Sequence, residues 1–260
     1  MSQNTTQPDD SDVPFDWSLW ELDEEEDMGM TPEHVRVSVE VMDALQRHAV
    51  ERGWTDAFVC MDTFFAWVKS RPNVRVSPDV YLVWGAVQPP PPSWQTWRPG
   101  HKPPDFALEV CSADRRKEYD VNPAKYDSLG AGELVIYDPH GLGGRGPLSR
   151  YARDSNGEFV AAERDAPVVY SKALDLWLHA TTGPDGVALR LCRDPQGESV
   201  VLTSHEREIH AIEEAARATE RAARATEQAA RATKDAEFAR QQRAALEAEL
   251  AALRAQLAGR

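Results

Sequence analysis

Pro104-Asp105-Phe106-Ala107-Leu108-Glu109-Val110-Cys111 begins with a turn pair and runs into a short apolar strand over residues 106–110. On a strand, alternate residues share a face. Asp105, Ala107, Glu109 and Cys111 therefore point one way, and Phe106, Leu108 and Val110 the other. Glu109 is thus a carboxylate in the middle of a hydrophobic run. Burying it unpaired is costly, so it requires a cation or a hydrogen-bond donor.

Upstream, Val74 to Trp84 alternates and is rich in β-formers, with a second Pro-Asp pair, Pro78-Asp79, early in it. Seven of the chain's 18 prolines fall between Gln88 and Pro104. That segment reads as a stiff loop joining two neighbouring strands. If the strands lie side by side, Asp79 supplies a second carboxylate near Glu109. Two hard oxygen ligands converging on one point suit Mg²⁺. The same residues admit a structural reading, in which Asp79 and Asp105 are turn residues at strand starts and Glu109 pairs with a core arginine.

Around this pair the remaining elements follow from local signals. Thr31-Pro32-Glu33 is an N-cap with proline at the first helical position, and Val35, Val39, Met42, Leu45 and Val50 recur near helical spacing. An amphipathic helix over 32–52 is expected. Asn122-Pro123 repeats the signature and Gly130 stops it, giving a short helix over 123–129. Leu134 to Tyr137 is a strand ended by Asp138-Pro139. Hairpins turn at Ser155-Asn156-Gly157, between 148–153 and 158–162, and around Gly183-Pro184-Asp185-Gly186. The expected class is α/β (mixed α+β), with a central mixed sheet flanked by helices and a long C-terminal helix.

Three regions emerge from composition: an acidic leader over 1–30, a core over 31–203 and a helical tail over 204–260. The net charge is −14, and residues 1–30 carry ten acids and no Lys or Arg. The leader reads as disordered, either a solvated tail or, through Phe15, Trp17 and Trp20, a docking segment. The tail keeps a heptad seam of Ala215, Ala218, Ala222, Ala225, Ala229, Ala232, Ala236 and Ala239, continued by Leu246, Leu250, Leu253 and Leu257, with Arg243 breaking it. It is either a coiled coil, with a homodimer the simplest assembly, or a single exposed helix. No apolar run is long enough to span a membrane. The N-terminus has no signal-peptide pattern, and the single cysteines Cys60, Cys111 and Cys192 suit a reducing cytoplasm.

The ordered set Ser77-Pro78-Asp79-Val80-Tyr81-Leu82-Val83, Pro104 to Ser112, Asn122-Pro123-Ala124-Lys125-Tyr126-Asp127-Ser128-Leu129-Gly130 and Glu133 to Pro139 resembles the Uma-two family, a branch of the PD-(D/E)XK nuclease superfamily. The resemblance covers roughly residues 31–203. It implies a restriction-endonuclease-like core and a metal-dependent endonuclease acting on DNA. Carried over by position, Asp79 is the first metal-binding acid and Glu109 the second, with Mg²⁺, or Mn²⁺ in its place, as cofactor. The superfamily's lysine two residues after the second acid is replaced here by Cys111. Lys125, on the following helix, is the first substitute and Lys117 the second. Two domains held together by the tail could each cut one strand of a duplex. The rival reading is a catalytically degraded nuclease fold serving as a coiled-coil scaffold. Weaker candidates are His140, read as a turn residue, His101 and Lys102 in the proline loop, and Trp94 and Trp97, which either stack on bases or pack that loop. The Gly141-Leu142-Gly143-Gly144-Arg145-Gly146 run precedes a strand rather than a helix and fails as a dinucleotide loop.

Overall fold

The computed structural model describes residues 31–111, 117–141, 145–183 and 186–258. The leader lies outside the described residues, as do the side chains of Lys117 and Leu257. By its internal contacts the chain divides into two units, residues 1–204 and 205–260.

The first unit is built on a six-stranded mixed sheet. Its strands are β1 (Ala57–Cys60), β4 (Val80–Trp84), β6 (Phe106–Val110), β7 (Glu133–Tyr137), β8 (Leu148–Arg153) and β9 (Phe159–Ala166), paired in that order. β6 and β7 are parallel and every other neighbour is antiparallel. A parallel pair needs a crossover, and here it contains a π-helical turn (Lys117–Val121) running into α2 (Asn122–Leu129). The residues of β6 and β7 are buried throughout, as expected of strands covered on both faces.

Two apolar clusters cover those faces. Phe106, Leu108 and Val110 face Val37, Val41, Ala44 and Leu45 of α1 (Pro32–Glu51), together with a three-stranded sheet of β10 (Val168–Ser171), β11 (Leu176–Gly183) and β12 (Gly186–Cys192). Ala107 and Cys111 face Tyr126 and Leu129 of α2 and a small sheet of β2 (Phe65–Ala66), β3 (Arg75–Val76) and β5 (Trp94–Gln95).

Several expectations are corrected. The Val74–Trp84 run is two strands in two sheets, broken at Ser77-Pro78-Asp79, where proline has no N–H to give a ladder. The buried face of α1 carries Val37, Ser38, Val41, Ala44, Leu45 and His48, while Val35 and Val39 are exposed. Thr31 does cap this helix, its Oγ1 accepting from the His34 N–H at 3.2 Å. Asn122 does not cap α2: the cap position is Val121, because helical backbone already begins in the π-turn. Gly130 ends α2 in the left-handed region, φ 90°. Trp94 is fully buried and stacked on Phe65 at 5.7 Å, so it packs the proline loop and offers no face to a base. His101 Nδ1 accepts from the Gln95 N–H, and Lys102 donates to the Trp84 carbonyl.

The second unit is one helix, the 55-residue α3 (Ser204–Ala258). Among the described residues no helix is long and apolar enough to cross a membrane.

Candidate active site

The register of β4 against β6 places Val80 opposite Leu108 and Tyr81 opposite Ala107. Asp79 stands one residue before β4, beside the end of β6 that carries Glu109, and the Tyr126 phenol on α2 feels the charge of both acids. The two acids therefore lie at one edge of the sheet, where β4 begins and β6 ends. Both are buried, with 6% and 8% of their surface exposed.

Each carboxylate is held by donors from a different element. Asp79 Oδ2 accepts from the Val110 N–H at 2.6 Å, a cross-strand bond that locks the start of β4 onto the end of β6. Asp79 Oδ1 lies 2.7 Å from His34 Nε2, on the first turn of α1. Glu109 Oε1 accepts from the Tyr126 hydroxyl at 2.6 Å. Tyr126 is fully buried on α2, and burial first, then the charge of Glu109, holds its phenol well above the ordinary range. It therefore stays a protonated donor. A neutral donor fixes the rotamer of Glu109 without cancelling its charge.

Lys125 precedes Tyr126 on α2 and is also buried, 4% exposed. The helix after β6 thus sends a cation and a hydroxyl into the protein interior from adjacent positions. Cys111 is buried and packs with Tyr119 in the second cluster, so a thiol occupies the place two residues after Glu109. Asp105 belongs elsewhere: its Oδ2 accepts from the Trp84 N–H at 2.7 Å, at the opposite end of β4. It is a strand-start residue, as the structural alternative had it, and burial pushes its carboxyl up. His140 sits in the turn after β7 and pairs with Glu33 at 3.3 Å.

His34 and Tyr126 were not selected from the sequence as site residues, since both reach the acids through tertiary packing. Among the described residues no three His, Cys, Asp or Glu side chains form a metal-ligating group. A cation held here would draw on two side-chain carboxylates and would complete its shell with main-chain carbonyl and water. Mg²⁺ tolerates that arrangement, because it keeps several waters, whereas structural zinc wants a closed protein shell.

The family model described as "Putative restriction endonuclease", Uma2, matches residues 20–208. The chain belongs to the Uma2 family. The acids at the β4–β6 edge and the β6–α2–β7 crossover all fall inside the matched span. Membership identifies the first unit as a nuclease-type domain of this family. Among solved structures the chain is similar to a putative nuclease belonging to DUF820 from Anabaena variabilis ATCC 29413, at 11% identity and a TM-score of 0.38, over 55% of this chain and 73% of that one. No curated protein matches the chain.

Proposed function

We propose that this Uma2 protein is a Mg²⁺-dependent endonuclease acting on DNA, and that it self-associates through α3. The observation that carries the reading is the pair of buried carboxylates, Asp79 and Glu109, brought to one edge of the sheet where β4 begins and β6 ends. Asp79, Glu109 and the main-chain carbonyl near Val110 are the groups that would hold the ion. A bound Mg²⁺ supplies an activated water and neutralises charge building on the scissile phosphate.

The chain's own residues then divide the work. His34 and the Val110 N–H orient Asp79, and the Tyr126 hydroxyl orients Glu109. Lys125 supplies the positive charge that Cys111 cannot. Mn²⁺ satisfies the same ligand set. The acidic total of −14 resides largely in the leader, so residues 31–204 remain near neutral and can meet DNA through a local cationic patch.

The burial of Cys111 favours a second reading, a nuclease fold that has lost turnover and acts as a scaffold through α3. Incubating the full chain with plasmid DNA and Mg²⁺, against EDTA and against Asp79→Ala, separates the two. Cleavage that EDTA and the substitution both abolish supports the enzyme. No cleavage, together with no Mn²⁺ binding by the parent, supports the scaffold.

A further inference from the structure

The described side chains of α3 from Arg207 to Arg254 are all exposed, including Leu246, Leu250 and Leu253 at 61%, 53% and 52%. Much of its polar surface is satisfied within the helix. Thr219, Thr226 and Thr233 donate to the carbonyls of Ala215, Ala222 and Ala229, each at 2.9 Å. Arg217, Arg224, Arg231 and Arg243 pair with Glu213, Glu220, Glu227 and Glu247. Exposed apolar residues outside these pairs are Ile209, Ile212 and Phe238, which stand off the heptad seam, and the seam itself, small at its N-terminal end and large at its C-terminal end.

We infer that α3 pairs with α3 of a second copy in antiparallel orientation, with Ala215 opposite Leu253. This deepens the self-association proposed above and rests on it. The argument is side-chain size. In a parallel in-register pair every layer meets itself: Ala against Ala from 215 to 239, Arg243 against Arg243, then Leu against Leu. The Ala layers want the helix axes close and the Leu layers want them apart, and the Arg layer sets two like charges together.

The antiparallel register removes these conflicts. Ala215, Ala218 and Ala222 meet Leu253, Leu250 and Leu246, so every large residue faces a small one, as interdigitated layers require. Ala225 meets Arg243, whose stem can lie across the methyl group while its guanidinium stays at the edge. Ala229 meets Ala239 and Ala232 meets Ala236 at the centre. On the flanks Arg221 faces Glu249 twice. Asp235 faces its own copy once, with Lys234 beside it in sequence.

The consequence is functional. The symmetry axis falls near residue 234, so the two helix starts at Ser204 lie on the order of 90 Å apart at ~1.5 Å per residue. The two chains therefore enter the pair from opposite ends, an arrangement suited to two separated points of DNA rather than to both strands at one step.

Ala222→Cys and Leu246→Cys, each in the full chain, test the register. Each variant alone, and a mixture after subunit exchange, is oxidised with copper phenanthroline and run on a non-reducing gel. The parent serves as background for Cys60, Cys111 and Cys192. The expected result is covalent dimer in the mixture, with neither variant exceeding the parent alone. Dimer from each variant alone means parallel pairing and overturns the inference. No dimer in any sample, with a parent that sediments as a dimer, also overturns it by removing this seam from the interface. No dimer with a parent that sediments as a monomer refutes self-association itself.

Discussion

Replacing Glu109 by Gln keeps the shape of the side chain and removes one of two buried charges. Two carboxylates about 5–6 Å apart at an effective dielectric of about 20 repel by roughly 3 kcal/mol. Against this, the Tyr126 hydroxyl loses a charged acceptor and gains a neutral one, which costs about 1–1.5 kcal/mol. The expected net is a metal-free protein about 1–2 kcal/mol more stable, read as a shift in urea midpoint in EDTA. Mg²⁺ should then stabilise the parent and leave Glu109→Gln unmoved, and DNA cleavage should be lost. If Glu109 were instead a structural anion paired with buried Lys125, its removal would strand a charge and cost roughly 3–5 kcal/mol. A Glu109→Gln protein that Mg²⁺ stabilises as much as it does the parent refutes the functional reading of this carboxylate.

Three further outcomes follow from the same geometry. His34→Ala should weaken Mn²⁺ binding by roughly 10–100-fold, as loss of a ligand-orienting partner does, and His34→Gln should recover part of it; equal Mn²⁺ affinity in the parent and His34→Ala would remove His34 from the site. Lys125→Met should cut turnover by about a hundredfold or more while Mn²⁺ affinity, measured by calorimetry, stays near that of the parent; unchanged turnover in an active enzyme would reassign the charge. His48 is buried edge-on to Trp54, and its pKa is lowered by burial first and then by Arg193 and Arg52. The unfolded chain therefore takes up this proton at a higher pH than the native protein does. Its contribution is complete above about pH 6.5 and is lost as pH falls from there through the folded value. His48→Phe should flatten that part of the stability profile measured between pH 8 and 5.

How much of the fold was legible depended on whether pattern or packing decided each element. β6, β7 and the strands of the two hairpins carry their pattern locally and stand where the sequence places them, the turn at 184–185 lying outside the described residues. α1 is legible from its cap, and Leu45 and Met42 of its stripe do reach the core, but Val35, Val39 and Val50 are exposed. Val35, Val39 and Val50 make an apolar stripe on paper. The true face includes Ser38 and His48, which count as polar in any pattern. Ser38 is buried because its hydroxyl donates to the His34 carbonyl at 2.9 Å, a bond no periodicity shows. β1 and β10, at four residues each, are too short to assert a period, and of the two-residue strands β3 pairs β2 directly while β5 joins it because the proline loop folds back onto Phe65.

The site divides along the same line. Asp79 and Glu109 were legible because strand alternation is local and because an acid inside an apolar run is an anomaly that needs a reason. Their donors were not, because His34 and Tyr126 arrive from helices on either side of the sheet in sequence. A signal existed for each. His34 follows the Thr31 cap closely enough that a helix docked on the sheet brings its first turn to the strand ends. Tyr126 shares the buried side of a short helix that must cross back over β6 to begin β7. Chain topology thus makes the crossover do two jobs. It returns the strand that pairs with β6, and in doing so it delivers Tyr126 to Glu109 and buries Lys125 next to it in sequence, while the strand end itself carries the buried thiol of Cys111.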